Sequence, residues 1–366
     1  MHNNIPNFKP YKSMGMSQYV TDCVETGWIS GGKYLKSVKS IMEGIFNTKY
    51  IILVNSGTSA CKLALVGCGI GKGDGVISPD FTYIATNNAI LSVGAKPILV
   101  DVSKEDWNID PKEVLKAIRK KRNAKCVMAV NLLGCSADYN SLLDFCKVEK
   151  IKVIEDNCQA IFSKYYDKYT GTIGDAAAFS FFANKIISCG EGGMVIFKSK
   201  RAYEKALLYK NQGRDYGHGK YYHSNYGENM NMTNVQAAIL YSQLTEYKFI
   251  LFSRSKIEDQ YKLELPDVEF RPIPKNIEAV TWFVTILLDN RDKYVAYMAK
   301  NGVETIPVWK PNHIMPHLQS YAKGTYPNTT YLSEHGVMLP TYVGLPKKDI
   351  ERVCKLTRKF IKNGRS

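Results

Sequence analysis

The chain has 366 residues, about 2.4 domains' worth at the usual ~150 residues per domain, which suggests one large domain with a smaller one beside it. Hydrophobic residues make up 45% and charged residues 23%, a globular balance that excludes a disordered, collagen-like or coiled-coil chain. Lys+Arg 49 against Asp+Glu 34 leaves +15, so an anionic partner is expected: nucleic acid, a membrane surface or a phosphorylated small molecule.

The first twenty residues, MHNNIPNFKPYKSMGMSQYV, hold no uninterrupted apolar segment behind a basic start, and no stretch approaches ~18 consecutive apolar residues. A cytoplasmic protein is expected, neither secreted nor membrane-spanning. Nine cysteines form no CxxC pair and mostly lie in apolar runs, which favours reduced, buried thiols over disulfides or a zinc site.

From about residue 48 to 200, short β-branched runs alternate with helix-like segments. The runs lie at 50–54, 76–78, 97–100, 127–130, 153–154, 178–181 and 194–197. Runs that are apolar on both faces suit strands covered by helices on both sides, and the helix-sized gaps imply crossovers, so the sheet is expected to be mostly parallel. Residues 233–262 contain no Gly or Pro and begin at a capping Thr233. They predict one ~30-residue helix of about 45 Å, long enough to bridge to a second domain. Beyond Leu265-Pro266 the pattern changes to a strand at 280–288, a helix at 290–300, a strand at 304–308 and a terminal helix at 348–361, a small α+β unit. The expected division is 1–248 for the large domain and 249–366 for the small one.

Ligands of open parallel sheets bind beyond the carboxyl ends of the strands, so chemistry is expected at those junctions. After 50–54 comes Asn55-Ser56-Gly57-Thr58-Ser59, opening a helical run; small residues and a helix amino end make a phosphate cradle, although a plain helix cap explains Ser56-Gly57-Thr58 equally well. After Ser78-Pro79 stands Tyr83, an aromatic that could stack on a flat cofactor or simply start a helix. After Val153-Ile154 come Glu155 and Asp156, costly unless a metal or a protonated ring nitrogen meets them; no further ligands follow at metal spacing, so no metal is expected. After 178–181 comes Lys185, set among aromatic and small residues and a glycine-rich turn, where poor solvation lowers an amine's pKa and raises its nucleophilicity. Cradle, aromatic, carboxylate and lysine together are the parts that pyridoxal phosphate needs.

At these residues the sequence resembles the sugar aminotransferases of the DegT/DnrJ/EryC1/StrS family. The matching blocks are SGTSACKLAL, PDFTYIATNNAILSVGAKPILVDVSKEDWNID, VIEDNCQA, GTIGDAAAFSFFANKIISCGEGGMV, NMNMTNVQAAILYSQL and VWKPNHIMPHL. The resemblance implies the aspartate-aminotransferase fold (pyridoxal phosphate fold type I), an α/β fold with a large, mostly parallel mixed sheet and a smaller α+β carboxy-terminal domain, and a homodimer whose subunits complete each other's sites. It implies Lys185 as the Schiff-base lysine and proton carrier, Asp156 on the pyridine nitrogen, Gln159 beside the ring, Tyr83 on its face, and Gly57, Thr58 and Ser180 on the phosphate. Asn229 is similar to the family's asparagine that reaches the phosphate in the neighbouring subunit, and His313 lies in a segment that faces the sugar nucleotide. Gly75, Asn131 and Asn231 stand where members commonly have Glu, His and Arg; the last difference bears on how substrate is held. Relatives that replace the lysine by histidine act as dehydratases, and Lys185 argues against that chemistry.

The segments 221–229, 307–309 and 315–316 are most similar to those of enzymes that aminate C4 of a nucleotide-linked 4-keto-6-deoxyhexose with glutamate, as in perosamine or viosamine synthesis, by way of pyridoxamine phosphate. Two other readings compete: a 3-aminotransferase of the same fold, and a non-catalytic sugar-sensing or nucleic-acid-binding protein. The complete set of Lys185, Asp156, Ser180 and Asn229 weighs against a non-catalytic role. The basic run Arg119-Lys120-Lys121-Arg122 reads more simply as a solvated helix end than as a nucleic-acid stripe.

Overall fold

The computed structural model describes residues 4–120 and 123–364, so Lys121 and Arg122 of the basic run lie outside the described residues. Each of the seven β-branched runs forms a strand, and the seven build one sheet in the order Ile51–Val54, Gly193–Phe197, Ala176–Ser180, Lys152–Asp156, Ala124–Val130, Gly75–Pro79, Lys96–Val100. Gly193–Phe197 is antiparallel to both its neighbours, and the other adjacent pairs are parallel. The sheet is therefore mixed but mostly parallel.

The apolar runs follow from where alternate side chains go. Ile51, Leu53, Ala177, Phe179, Met194 and Ile196 enter one core, which includes Tyr34, Val38, Met42 and Phe46 of helix Lys33–Phe46 and Ala237, Leu240 and Leu244 of helix Asn234–Thr245. Ile52, Val54, Ala176, Ala178, Val195 and Phe197 enter another, with Ala60, Leu63 and Ala64 of helix Gly57–Gly67. Both faces are covered, so neither can afford alternating polarity. Near the other edge a third core collects Val114 and Ile118 of helix Pro111–Lys120 with Leu142 and Cys146 of helix Tyr139–Val148.

The long helix expected over 233–262 is two helices, Asn234–Thr245 and Tyr247–Glu264. Thr233 caps the first as expected, in a reciprocal box with Gln236. The break falls at Glu246, whose backbone leaves the helical region (φ −119°, ψ 11°) and whose carboxylate accepts from Tyr11 Oη at 2.6 Å and Met14 N–H at 2.5 Å.

Beyond it, Glu269–Phe270, Thr285–Leu287, Gly336–Met338 and Ile306–Pro307 form an antiparallel sheet. Helices Arg291–Lys300 and Lys347–Gly364 share a separate core with it, around Tyr261, Ile286, Tyr294, Val337 and Val353. Backbone pairings cross between the halves of the chain. Ile5 bridges Val303 and Asn7 Nδ2 donates to Met338 O at 2.9 Å, while Ile277–Glu278 pairs with Lys164–Tyr165. Among the described residues, no helix is long and apolar enough to cross a membrane.

Candidate active site

Register gathers the carboxyl ends of the parallel strands with the amino end of Gly193–Phe197. Gly193 lies opposite both Val54 and Ser180, and Asp156 lies opposite both Ala178 and Val130. The segments leaving these ends open on a cavity of about 290 Å³ whose lining includes Gly57, Thr58, Tyr83, Asp156, Gln159, Ser180 and Lys185. Seven of the nine expected site residues thus meet in one place, contributed by positions spread over 129 residues of chain.

Ser56 caps helix Gly57–Gly67 by accepting the Ser59 N–H at 3.1 Å. The other N–H groups of the first turn have no carbonyl to reach within the helix and give this end a partial positive charge. A Cβ on Gly57 would stand 2.6 Å from Ser180 Cβ and 2.8 Å from its Oγ, so glycine is what lets the helix start close on the Ser180 hydroxyl. Cap and anion cradle are the same structure here.

Glu155 and Asp156, adjacent at the end of strand Lys152–Asp156, serve different ends. Sequence reasoning expects both to need a cation. Glu155 does not: fully buried, its carboxylate accepts N–H bonds from Gly171 (2.6 Å), Ile173 (2.7 Å) and Gly174 (2.8 Å). Burial pushes its pKa up while those three bonds hold it down. Asp156 accepts from Thr86 Oγ1 at 2.7 Å and from the Cys158 N–H at 3.2 Å, and lines the cavity. Cys61, Asp156 and Cys158 bring one ligand-type atom each within 4.8 Å of one another. Cys61 is pushed well above the usual thiol range by its hydrogen bond with Cys158 and by burial. Cys158 is raised too, its bond to Cys61 opposing while burial and Asp156 prevail. Both thiols are therefore held protonated.

Gln159 is fixed by its Oε1, which accepts the Leu133 N–H at 2.8 Å, so its amide nitrogen is the end left for the cavity. Leu133 itself is held in the left-handed region (φ 50°), a strained conformation beside the site. Tyr83 stands on the rim, 57% exposed. Lys185 is half-buried, and its Nζ sits 3.9 Å from the centroid of the Trp282 ring. Burial lowers its pKa, against the pull of Cys158, Asp156 and Cys61 in the other direction.

The two remaining expected residues lie elsewhere. Asn229 is exposed and turned onto its own strand of chain, accepting from Asn231 Nδ2 at 3.0 Å, and does not line the cavity. His313 is not among the lining residues either. Its Nδ1 meets buried Asp80 Oδ2 at 2.7 Å, its N–H donates to Asp80 Oδ1 at 2.7 Å, and Tyr326 stacks on its ring at 4.8 Å. Sequence reasoning missed Thr86, Cys61 and Trp282 as lining residues and gave Trp309 no place in the cavity. Composition offered one signal: the chain has four tryptophans, and two of them wall this cavity, 6.2 Å apart and nearly parallel at 19°.

Residues 12–358 match the model of the DegT/DnrJ/EryC1/StrS aminotransferase family. The chain is 35% identical over 362 residues to the GDP-perosamine synthase of Escherichia coli O157:H7, covering 97% of this chain and 98% of that one. It is 33% identical to the GDP-perosamine synthase of Vibrio cholerae, over 97% and 99% of the two chains. Among solved structures, S. venezuelae DesV superposes with a TM-score of 0.91 at 26% identity, over 98% of each chain.

Proposed function

The chain belongs to the DegT/DnrJ/EryC1/StrS aminotransferase family, and on that footing we propose that it transfers the amino group of glutamate to C4 of a GDP-linked 4-keto-6-deoxyhexose, giving a 4-amino-4,6-dideoxy sugar nucleotide for glycan synthesis. The observation that carries the reading is the meeting of Lys185, Asp156 and the Gly57–Ser180 cradle in one cavity. The choice of C4 and of GDP rests on the two perosamine synthases, similar over nearly their whole length.

The enzyme is an aminotransferase and its cofactor is pyridoxal phosphate, which the residues present fit. A Cβ at Gly57 would fill the space between the helix start and Ser180, where the first-turn N–H groups and a hydroxyl suit a phosphate. Asp156 offers its carboxylate to a protonated ring nitrogen, and Thr86 and the Cys158 N–H hold that carboxylate in place. Bound there, the cofactor supplies the electron sink that lets an amino group leave one carbon and be installed on another.

The chain's own residues orient that chemistry and move its protons. Thr58 and Ser180 anchor the phosphate end, Gln159 lies beside the ring, and Tyr83 covers one face from the rim. Lys185 Nζ carries the proton: with its pKa lowered by burial, the amine can be neutral when it must attack and can still return a proton afterwards. The subunits form a homodimer in which Asn229 of each reaches the phosphate in the other. This explains why Asn229 is exposed and turned away from its own cavity.

Purified protein is expected to be yellow and to lose that colour in Lys185→Ala; an unchanged spectrum in the variant would overturn the role of the lysine. Incubation with glutamate and GDP-, UDP- or dTDP-linked 4-keto-6-deoxyhexoses, with products read by mass spectrometry and NMR, is expected to give the C4 amine from the GDP sugar. Nitrogen on C3, or no amino sugar from any donor, would overturn the substrate.

A further inference from the structure

Trp282 is a residue of the carboxy-terminal half that reaches the catalytic lysine from 97 positions away. It is buried, 4% exposed, and fixed on three sides. Its Nε1 donates to the carbonyl of Asn184, the residue before Lys185, at 2.7 Å. Its own carbonyl accepts from Arg254 Nη1 at 2.7 Å, and that guanidinium is 5% exposed and also donates to Thr341 O at 3.3 Å. Trp309 lies nearly parallel to its ring. Against this rigid plane stands Lys185 Nζ, 3.9 Å from the centroid, well inside the ~6 Å range in which an indole face attracts an ammonium.

We propose that Trp282 is a positioning residue for Lys185: its indole face holds the ε-amino group at the cavity whenever that group is not bonded to the cofactor. The proposal rests on the reading of Lys185 as the amine that joins the cofactor. An aminotransferase frees its lysine in every cycle, while the nitrogen in transit sits on the cofactor, and a free side chain with four rotatable bonds would otherwise leave the site. A carboxylate would hold it as well but would keep it cationic. The π face attracts more weakly, so the amine can still lose its proton. The charged and titratable groups that share the cavity with Nζ are Asp156 at the end of strand Lys152–Asp156, Cys158 just beyond it, Cys61 on helix Gly57–Gly67, Tyr83 on the rim, and Glu191 in the glycine-rich turn. Burial and the indole therefore act in opposite directions on the same proton.

The test reads the lysine itself in the full-length chain freed of cofactor. Acetic anhydride labelling over a range of pH, with the Lys185 peptide followed by mass spectrometry, gives the midpoint of its deprotonation in wild type, Trp282→Phe and Trp282→Leu. The midpoint is expected to fall by about half a pH unit to one and a half in Trp282→Leu, with Trp282→Phe recovering part of the shift because it keeps a π face. Equal midpoints in all three folded proteins would overturn the proposal. Should Trp282→Leu fail to fold, tryptophan fluorescence of the cofactor-free wild type is expected to show a pH-dependent step that Lys185→Met abolishes; a step that persists in Lys185→Met overturns it equally. In the loaded enzyme, Trp282→Phe is expected to lower kcat with little change in KM for glutamate. A yellow Lys185→Ala protein would instead sink the functional reading while leaving the contact in the cofactor-free chain untouched.

Discussion

Gly57 occupies a position where any side chain collides with Ser180, and the collision lies in the cradle itself. Gly57→Ala is expected to weaken pyridoxal phosphate binding about tenfold or more, by absorbance titration of cofactor-free protein, and to lower unfolding free energy by about 1–3 kcal/mol through overpacking. Asp80 gives a residue-scale prediction in pH. Burial pushes its pKa from the ordinary 3.8 to about 6, even with the His313 hydrogen bonds pulling it down. The native chain therefore binds this proton more tightly than the unfolded chain, so Asp80's contribution to stability is fullest below about pH 4, falls as pH rises to about 6, and is level above that. Relative to Asp80→Asn, wild type is expected to lose stability across that window in urea denaturation at each pH; a constant difference would refute it. At this scale Lys185 and Asp156 were legible because each follows a buried strand at the end where ligands bind. Trp282 was not, because a tryptophan before a strand reads as core until the fold brings it over the lysine.

The turn 171–174 hangs on strand Lys152–Asp156 through one carboxylate. Glu155→Gln replaces an acceptor of three N–H bonds by an amide that brings a donor against donors, and is expected to cost about 2–3 kcal/mol in urea unfolding. Glu155→Gln is also expected to leave the cofactor spectrum of the folded protein intact, since Asp156 alone lines the cavity. The sequence shows two neighbouring acids at a strand end; it does not show that they part because successive strand residues point to opposite faces, one toward backbone donors and one toward the site. Elements with long apolar runs were readable throughout, as the seven strands show. The helix break at Glu246 was not, because nothing local interrupts the 233–262 pattern: the clasp comes from Tyr11 and Met14, more than 230 positions away. The two-residue strands Lys164–Tyr165 and Ile277–Glu278 carry too few residues to show any periodicity.

Assembly is the scale at which Asn229, exposed and outside the cavity of its own chain, has a role in the proposed reaction. Trp28, Ile29 and Met14, beside the helix pair that follows Asn229, and Phe249 on its second helix are exposed apolar side chains. Trp28 O and Ile29 O accept from Asn234, Met14 N–H binds Glu246, and Phe249 lies 6.0 Å from the Tyr11 ring. Exposed apolar side chains of that kind suit a second copy of the chain in an isologous dimer. If each site takes Lys185 from one subunit and Asn229 from the other, two inactive variants must complement. Lys185→Ala removes the amine, and Asn229→Asp sets a carboxylate against the phosphate. In a mixed dimer both lesions fall in one site and the second site is wild type in every residue. After unfolding and refolding together at equal amounts, half the dimers are mixed and each has one intact site of two, so activity is expected to return to about a quarter of wild type. Sites built within single subunits would leave the mixture no more active than its Asn229→Asp component, since every subunit would keep its own lesion.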